Sequence, residues 1–178
     1  MEDSTLAVIV IYNELIDDSV TLNSLDRGYT SEKKMDVLIY DNSKTPQKID
    51  KTKFINFNFL YHHNPNNDGI GAAYNMGSEV ALKRNKKWLL LLDQDTNFAS
   101  NFLAKMNKAR LQNHEIKLFA PILKISNTII LSPCSFKFFH GRHLKKIALG
   151  INNLSSNQPI NSGIMVRLET FLRAGGYN

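Results

Sequence analysis

The chain has 178 residues, 43% of them hydrophobic and 21% charged, which is the composition of one globular domain with a core of its own. Its formal charge of +6 favours polyanionic partners, but the basic residues are scattered and are not interleaved with aromatic residues, which argues against a nucleic-acid partner. The longest apolar runs, 7–12 and 88–92, are far shorter than the roughly 20 residues that span a bilayer, and the acidic start is unlike a signal peptide, so we expect a cytoplasmic protein.

The first half of the chain alternates strand patterns with helical patterns. Runs of almost continuous aliphatic or aromatic residues predict buried strands over 6–12, 36–40, 54–61 and 88–92. Apolar residues at helical spacing predict helices over 15–25, 69–84 and 100–111. The second of these helices is expected to turn one stripe inwards, made of Ile70, Ala73, Tyr74, Gly77, Val80 and Ala81.

The second half of the chain is less regular. A strand is predicted over 118–122, and two short strands over 128–131 and 135–139 suit a hairpin. Loop composition follows over 147–159. The last predicted elements are a strand over 163–167 and a helix over 168–174, which Gly175 and Gly176 would end.

The alternation of strands and helices predicts an α/β fold: a mostly parallel, Rossmann-like sheet flanked by helices on both faces, in a single domain over 1–178. In such sheets ligands bind beyond the carboxyl ends of the strands. Asp41 and Asp93-Gln94-Asp95 follow two of the predicted strands directly. The sequence therefore places its most chemically informative carboxylates where a ligand is expected.

Asp93 and Asp95 form a D-x-D pattern immediately after an apolar strand. Hard divalent cations prefer oxygen ligands, so the pair suits Mg²⁺ or Mn²⁺ held together with substrate phosphates, where the ion would assist departure of a nucleotide diphosphate. Two other interpretations stay open. One is a turn that caps the next helix, and the other is the nucleophile motif of haloacid dehalogenase phosphatases, although Asn97 stands where that class has Thr or Val.

Two further segments offer nucleotide contacts. Ionised Asp41 accepts hydrogen bonds, which suits the imide N–H of uracil or thymine or a ribose hydroxyl, and an Asx turn that closes the strand is an equal alternative. The stretch 67–77 opens a helix with small residues, which allow close backbone approach to a ligand, and Asn75 adds a donor and an acceptor. Tyr74 stands where a dinucleotide fingerprint needs glycine, so a nicotinamide-dependent dehydrogenase is disfavoured.

Five blocks, taken in order, resemble the inverting glycosyltransferases of family 2, which have the GT-A fold: 8–13, 37–43, 67–77, 88–96 and 161–177. The similarity covers nearly the whole chain. Leu-Asp-Gln-Asp-Thr at 92–96 and the Asn-rich helix start are most similar to bacterial rhamnosyltransferases, which implies dTDP-rhamnose as the donor, with a UDP-sugar as the alternative. The implied reaction is transfer with inversion to a cell-surface polysaccharide or lipid-linked acceptor.

The resemblance also implies a role for each matching residue. The nucleoside pocket would be lined by Tyr12, Asn13 and Asp41 and closed by Asn67, Gly71 and Asn75. Asp93 and Asp95 would hold the ribose and the metal-bound diphosphate. The donor sugar and the acceptor would lie near Asn161, Ser162 and Gly163.

The chain departs from the family pattern at its end. Family members follow the Gly-Gly-aromatic block with an acidic segment that supplies the general base, which inversion requires, whereas this sequence stops at Asn178. Glu169 is the nearest carboxylate but precedes that block. We therefore expect donor binding to exceed transfer, and the alternative function is an inactive nucleotide-sugar-binding or scaffolding module. A nucleotidyltransferase is disfavoured because 12–15 is not a glycine-rich phosphate loop.

The segment His140–Lys146 is basic, and the spacing of His140 and His143 could bind a metal, but a solvated surface is the favoured interpretation. The alternative is contact with a lipid diphosphate acceptor or an anionic membrane, which implies peripheral association with the inner face of the membrane. Self-association into a homo-oligomer is plausible if an apolar surface is left exposed.

Overall fold

The computed structural model describes residues 4–137, 140–155 and 157–177. Its strands β1 to β9 span Thr5–Ile11, Met35–Asp41, Phe57–His63, Trp88–Leu92, Leu118–Phe119, Leu123–Lys124, Ile130–Lys137, His140–Leu144 and Ile164–Arg167. Its helices α1 to α4 span Val20–Arg27, Gly69–Lys83, Phe102–Gln112 and Leu168–Arg173, and a 3-10 turn over Ile16–Asp18 precedes α1.

Six strands form the main sheet in the order β3-β2-β1-β4-β9-β5. Strands β1 to β4 are parallel, and β9 runs antiparallel to β4. The predicted mostly parallel α/β sheet is therefore confirmed. Because the chain builds outwards from β1 to β3 and then returns to place β4 on the other side of β1, the strand order reverses between β1 and β4. This reversal opens a crevice at the carboxyl edge of the sheet, where ligands of such folds bind.

The core consists of two layers, one on each face of the sheet. In β1, Ala7, Ile9 and Ile11 pack on the face covered by α1 and α3, while the alternate residues pack on the face covered by α2 and α4. Side chains of a strand point alternately to the two faces, so a strand buried on both faces has to be apolar throughout. This explains the continuous aliphatic runs of the sequence and confirms helices on both faces.

The structure corrects three sequence-based predictions, two of element boundaries and one of side-chain orientation. The predicted helix over 15–25 is split, because Ser19 accepts a hydrogen bond from the Leu22 N–H and so begins α1 after the 3-10 turn. Ile70 is 44% exposed rather than inward and lies in the first turn of α2, whose buried residues begin at Ala73. The strand predicted over 118–122 ends at Phe119, after which the chain leaves the main sheet.

A second, three-stranded sheet has the order β6-β7-β8. The two short strands predicted over 128–131 and 135–139 do not form a hairpin with each other, because the structure joins them in the single strand β7. The hairpin is instead made by β7 and β8, and positions 138 and 139 of the predicted strand lie outside the described residues. A bridge between Cys134 and Gln158 ties this sheet to the loop that returns to β9. Within the described part of the chain, no helix has both the length and the apolar character needed to cross a membrane.

Candidate functional site

The crevice between β1 and β4 is closed at its base by one side chain. The N–H of Tyr12 donates to Gln94 Oε1 over 2.7 Å, and Gln94 Nε2 donates back to the Tyr12 carbonyl oxygen over 3.3 Å. Tyr12 follows β1 and Gln94 follows β4, so the amide fixes the two strand ends relative to each other. The backbone carbonyl of Gln94 accepts a hydrogen bond from Ser19 Oγ, which also fixes the backbone between Asp93 and Asp95.

Asp93 lies at the end of β4 with its carboxylate partly buried. Burial raises the pKa of Asp93, the negative charge of Asp95 raises it further, and a hydrogen bond from the Tyr74 hydroxyl to Oδ1 (3.1 Å) works in the opposite direction. Asp95 is exposed. The two carboxylates are therefore close enough to repel each other, and one of them is incompletely solvated.

Such a pair fits a divalent cation, because a cation offsets both the mutual repulsion and the lost hydration. In the described ranges no three His, Cys, Asp or Glu side chains come together as a metal site. The protein therefore offers two carboxylates here, and the remaining ligands would have to be water or substrate oxygens, as is usual for Mg²⁺ at phosphate sites.

Asp41 ends β2 and is fully buried. Its Oδ1 accepts from the Ser43 N–H (2.9 Å), which is the Asx turn anticipated as an alternative, and its Oδ2 accepts from the Tyr61 hydroxyl (2.8 Å). Ser43 Oγ in turn accepts from the N–H of Asn13, which has a positive φ of 53°. Asp41 and Asn13 are thus linked through Ser43 in one hydrogen-bond network. A nucleobase would reach Asp41 only by displacing Tyr61.

A second side-chain amide, that of Asn75, holds the backbone of Tyr177. Asn75 Nδ2 donates to the Tyr177 carbonyl oxygen (2.7 Å), and Asn75 Oδ1 accepts from the Tyr177 N–H (2.9 Å). The Tyr177 ring lies 5.5 Å from the ring of Tyr74, and its hydroxyl donates to Asn161 Oδ1 over 2.6 Å. Gly71 lies beneath this segment, where an added Cβ would approach Tyr177 Cβ to 3.2 Å. Asn75, Gly71 and Asn161 are therefore brought together by Tyr177.

Ser162 and Gly163 line the other side of β4. The hydroxyls of Ser162 and Thr96 share a hydrogen bond of 2.6 Å, and the Gly163 N–H donates to the Leu91 carbonyl oxygen. Gly163 has a φ of +86°, and an added Cβ would lie 2.7 Å from Pro121 Cγ, so only glycine fits. This contact anchors the segment at the end of β4, next to the D-x-D pair.

Asn67 lies in the loop between β3 and α2, exposed and with a φ of 52°. Its N–H donates to the Asn64 carbonyl oxygen, and the Asn64 amide holds the loop through the Tyr40 hydroxyl and Asp68. The structure thus gives Asn67 contacts in its own loop, whereas Tyr12 connects through Gln94, Asn13 and Asp41 connect through Ser43, and the group Gly71, Asn75 and Asn161 connects through Tyr177.

Two residues that the sequence does not single out hold the site together, Gln94 and Tyr74. In the sequence, Gln94 is only the middle residue of the D-x-D pattern, and Tyr74 belongs to the apolar stripe of α2. Tyr74 is fully buried with its hydroxyl on Asp93, and burial raises its pKa far above the usual range, so it remains a donor. A tyrosine within an apolar stripe indicates a polar neighbour, because a buried tyrosine usually directs its hydroxyl to a hydrogen-bond partner.

Two surface cavities lie away from this edge. One is lined by Lys87, Trp88 and Arg167 among others, at the amino end of β4. The other lies between the end of α1 and the helix α3. Glu169 also lies at the amino end of β4, in the first turn of α4, where it contacts Arg167 at 3.7 Å. The assignment of the site therefore rests on the strand reversal and the carboxylates rather than on an enclosed cavity.

The chain is similar to known glycosyl transferases. A sequence model described as glycosyl transferase family 2 matches residues 6–153. The dTDP-rhamnosyl transferase RfbF of Shigella flexneri is 27% identical over 174 residues, which cover 96% of this chain and 56% of that protein. The chain therefore spans little more than half the length of this relative.

Solved structures show the same fold at low sequence identity. TarS 1–349 of Staphylococcus aureus matches with a TM-score of 0.64 at 13% identity, over 99% of this chain and 50% of that one. A mannosyltransferase of Pyrobaculum calidifontis, solved with GDP-Man and Mn²⁺, matches with a TM-score of 0.61 at 15% identity, over 98% of this chain and 47% of that one. These likenesses identify the GT-A fold.

Proposed function

The chain belongs to glycosyl transferase family 2, and we propose that it binds a nucleotide-sugar donor at the carboxyl edge of its sheet and transfers the sugar with inversion. The proposed donor is dTDP-rhamnose, and the proposed acceptor is a cell-surface polysaccharide or a lipid-linked saccharide. The 27% identity with a dTDP-rhamnosyl transferase supports this donor over a UDP-sugar.

One observation carries the proposal. Asp93 and Asp95 follow β4 at the strand reversal, and the amide of Gln94 between them is bonded to the backbone of Tyr12. The exposed Tyr12 ring and the two carboxylates therefore border the same crevice. An aromatic face suits a nucleobase, and carboxylates that hold a cation suit a diphosphate.

The roles proposed for the remaining residues follow from their positions along this edge. Tyr12, Asn13 and Asp41 would contact the nucleoside, and Asn67 would close the pocket from the loop before α2. Gly71 and Asn75 would act through Tyr177, because Asn75 uses its amide to hold that residue. Asn161, held by the Tyr177 hydroxyl, would orient the donor sugar or the acceptor together with Ser162 and Gly163.

Asp93 and Asp95 would hold Mg²⁺ or Mn²⁺. When bound, the ion would neutralise charge that develops on the departing nucleotide diphosphate. Tyr74 would keep Asp93 oriented towards the crevice through its hydrogen bond. Ser162 and Gly163, both buried, would support the donor sugar, so that the acceptor hydroxyl attacks from the side opposite the leaving group. The proton of that hydroxyl would pass to a general base, a role that the family pattern gives to none of residues 1–178.

Thermal unfolding in the presence of candidate donors tests the proposal. A ligand at 100 times its dissociation constant stabilises the fold by about 2.7 kcal/mol. We expect dTDP-rhamnose with Mn²⁺ to raise the melting temperature more than UDP-GlcNAc or GDP-mannose at equal concentration. A larger shift with UDP-GlcNAc would overturn the rhamnosyl assignment alone, and no shift with any of the three would overturn donor binding. Release of dTDP on addition of acceptor separates a transferase from a binding module.

A further inference from the structure

The net charge of this protein is confined to one segment. Residues 116–168 contain seven Lys and Arg and no Asp or Glu, whereas the rest of the chain has fifteen Lys and Arg against sixteen Asp and Glu. A stretch of 53 residues without one acidic side chain, in a chain that is otherwise balanced, is a strong asymmetry. Such an asymmetry indicates a surface that faces negative charge.

The structure places much of this charge at the end of the second sheet. Arg142 and His143 lie on β8, and Lys145 and Lys146 follow it directly, all four with exposed side chains. Lys124, on β6 of the same sheet, is exposed as well. The basic groups therefore border one small sheet rather than the crevice between β1 and β4.

The loop that follows is unusually apolar for an exposed segment. Leu149 is 86% exposed, Ile151 is 80% exposed and Leu154 is 50% exposed. The side-chain amide of Asn152 donates to the carbonyl oxygens of Ala148 and Gly150, which gives the tip of the loop a defined turn. Single exposed apolar residues are common on protein surfaces. Three of them within six residues, next to two lysines, form a patch of the kind that marks an interaction site.

We infer that residues 142–154, the basic–apolar loop, bind the surface of an anionic lipid bilayer. Basic side chains close to such a surface each contribute about 1 kcal/mol of attraction, and leucine and isoleucine side chains that enter the interface add the hydrophobic effect. A soluble polyanion would satisfy the lysines and leave the three apolar side chains in water. The combination of both residue types in one loop is what favours a membrane.

The position of the loop gives this contact a consequence. The chain returns from the loop through the Cys134–Gln158 bridge to Asn161, which begins the segment beside the D-x-D pair. The basic–apolar loop is therefore linked along the chain to the segment that carries Asn161, Ser162 and Gly163.

Co-sedimentation of the whole chain with large unilamellar vesicles tests it. The vesicles are pure phosphatidylcholine or phosphatidylcholine with about 30% phosphatidylglycerol, a fraction that gives an anionic surface. We expect binding to the anionic vesicles only, weakened by salt. Lys145→Gln/Lys146→Gln should weaken it about 25-fold, since two contributions of about 1 kcal/mol are removed. Leu149→Ser/Ile151→Ser should weaken it about tenfold or more.

Matched variants elsewhere on the surface serve as controls. Lys48→Gln/Lys51→Gln removes the same charge, and Ile55→Ser/Leu82→Ser removes the same kind of exposed apolar side chain. Both control variants are expected to bind anionic vesicles like the parent protein. Melting temperatures of the two test variants and the two controls show that each is folded. Absence of binding to anionic vesicles by folded protein would overturn the inference. Binding that needs the lysines but not Leu149 and Ile151 would also overturn it, in favour of a soluble polyanion.

Discussion

Gln94 and Tyr12 are joined by two hydrogen bonds although 82 positions separate them in the chain. Each polar atom of the Gln94 amide has one partner on the Tyr12 backbone, so the side chain acts as a cross-link between the ends of β1 and β4. The residue on either side of Gln94 is a carboxylate. The geometry of the D-x-D pair relative to the proposed nucleoside pocket therefore depends on its middle residue.

Replacement of Gln94 is expected to weaken nucleotide binding without removing a nucleotide contact. Gln94→Glu keeps the acceptor for the Tyr12 N–H. It replaces the amide nitrogen that donates to the Tyr12 carbonyl with a carboxylate oxygen, so that hydrogen bond is lost and two oxygens repel each other. We expect the dissociation constant for dTDP to rise about tenfold, equivalent to about 1.4 kcal/mol. Titration calorimetry checks this, with Gln112→Glu on the exposed end of α3 as the control. Equal affinity in both variants would contradict a positioning role.

Tyr61→Phe is expected to strengthen nucleotide binding. The Tyr61 hydroxyl occupies Oδ2 of the buried Asp41, and burial together with the Asp41 charge raises its pKa, so it stays a donor. Without that hydroxyl, a nucleobase that displaces the ring at position 61 no longer has to break a hydrogen bond to Asp41, so the dissociation constant should fall about fivefold. Tyr29→Phe is the control on a separate surface. Unchanged or weaker binding would mean that Asp41 serves only the Asx turn.

Gly77 is required for the packing of α2 on β1. A Cβ at position 77 would lie 2.5 Å from Val8 Cγ2, so Gly77→Ala should lower the free energy of unfolding by about 1–3 kcal/mol despite the better helix propensity of alanine. Val8→Ala in the same chain provides the missing space. Urea unfolding of both single variants and the double variant should show that the two changes are less damaging together than their sum. Simple additivity would contradict the contact.

Asp36 gives the fold a pH-dependent contribution. Burial acts to raise the pKa of Asp36, but hydrogen bonds from Lys86 and Asn58 and the positive charges of Lys86 and Arg84 outweigh it, so the pKa lies below its usual value. A pKa that is lower in the folded state stabilises the protein above the ordinary value of about 3.9 and ceases to do so as the pH falls through the folded-state value.

Asp36→Asn should therefore lower the free energy of unfolding by about 1–3 kcal/mol at pH 7, and by progressively less between roughly pH 4 and pH 2. Urea unfolding across this range checks the prediction. The exposed Glu79→Gln serves as the control and should follow the parent protein. A deficit in Asp36→Asn that stays constant down to the lowest pH would mean that the carboxylate acts through packing and not through its charge.

The strands and the D-x-D position were predictable from the sequence because both depend on local pattern. The run at 88–92 is aliphatic or aromatic throughout, as a strand buried on both faces must be, and the carboxylates follow it at once. The boundary of α1 was missed because Ser19 sits in the middle of a helical pattern and acts as a cap, which depends on the geometry of its own hydroxyl.

The connections within the site were not predictable. Asn75 was expected to face a nucleotide, and its direct contact with one remains a prediction, but its amide bonds to Tyr177, which is 102 positions away. Tyr61 was part of a strand pattern, and its hydroxyl lies on Asp41 only because β2 and β3 pair in register. The spacing of residues in the sequence does not indicate these hydrogen-bond partners, because strand order and register in the folded sheet determine which side chains meet.

The central claim is that Asp93 and Asp95 hold a cation through which the protein binds a nucleotide diphosphate. Titration calorimetry with dTDP, with Mn²⁺ and with EDTA, compares the parent chain with Asp93→Asn/Asp95→Asn and with the exposed control Glu79→Gln/Glu115→Gln. The account predicts that dTDP binding needs Mn²⁺, is retained in the control and is lost in the aspartate variant. The melting temperature of the aspartate variant should not fall, because the substitution removes a charge that burial of Asp93 disfavours. Equal binding by the parent chain and the folded aspartate variant would contradict it.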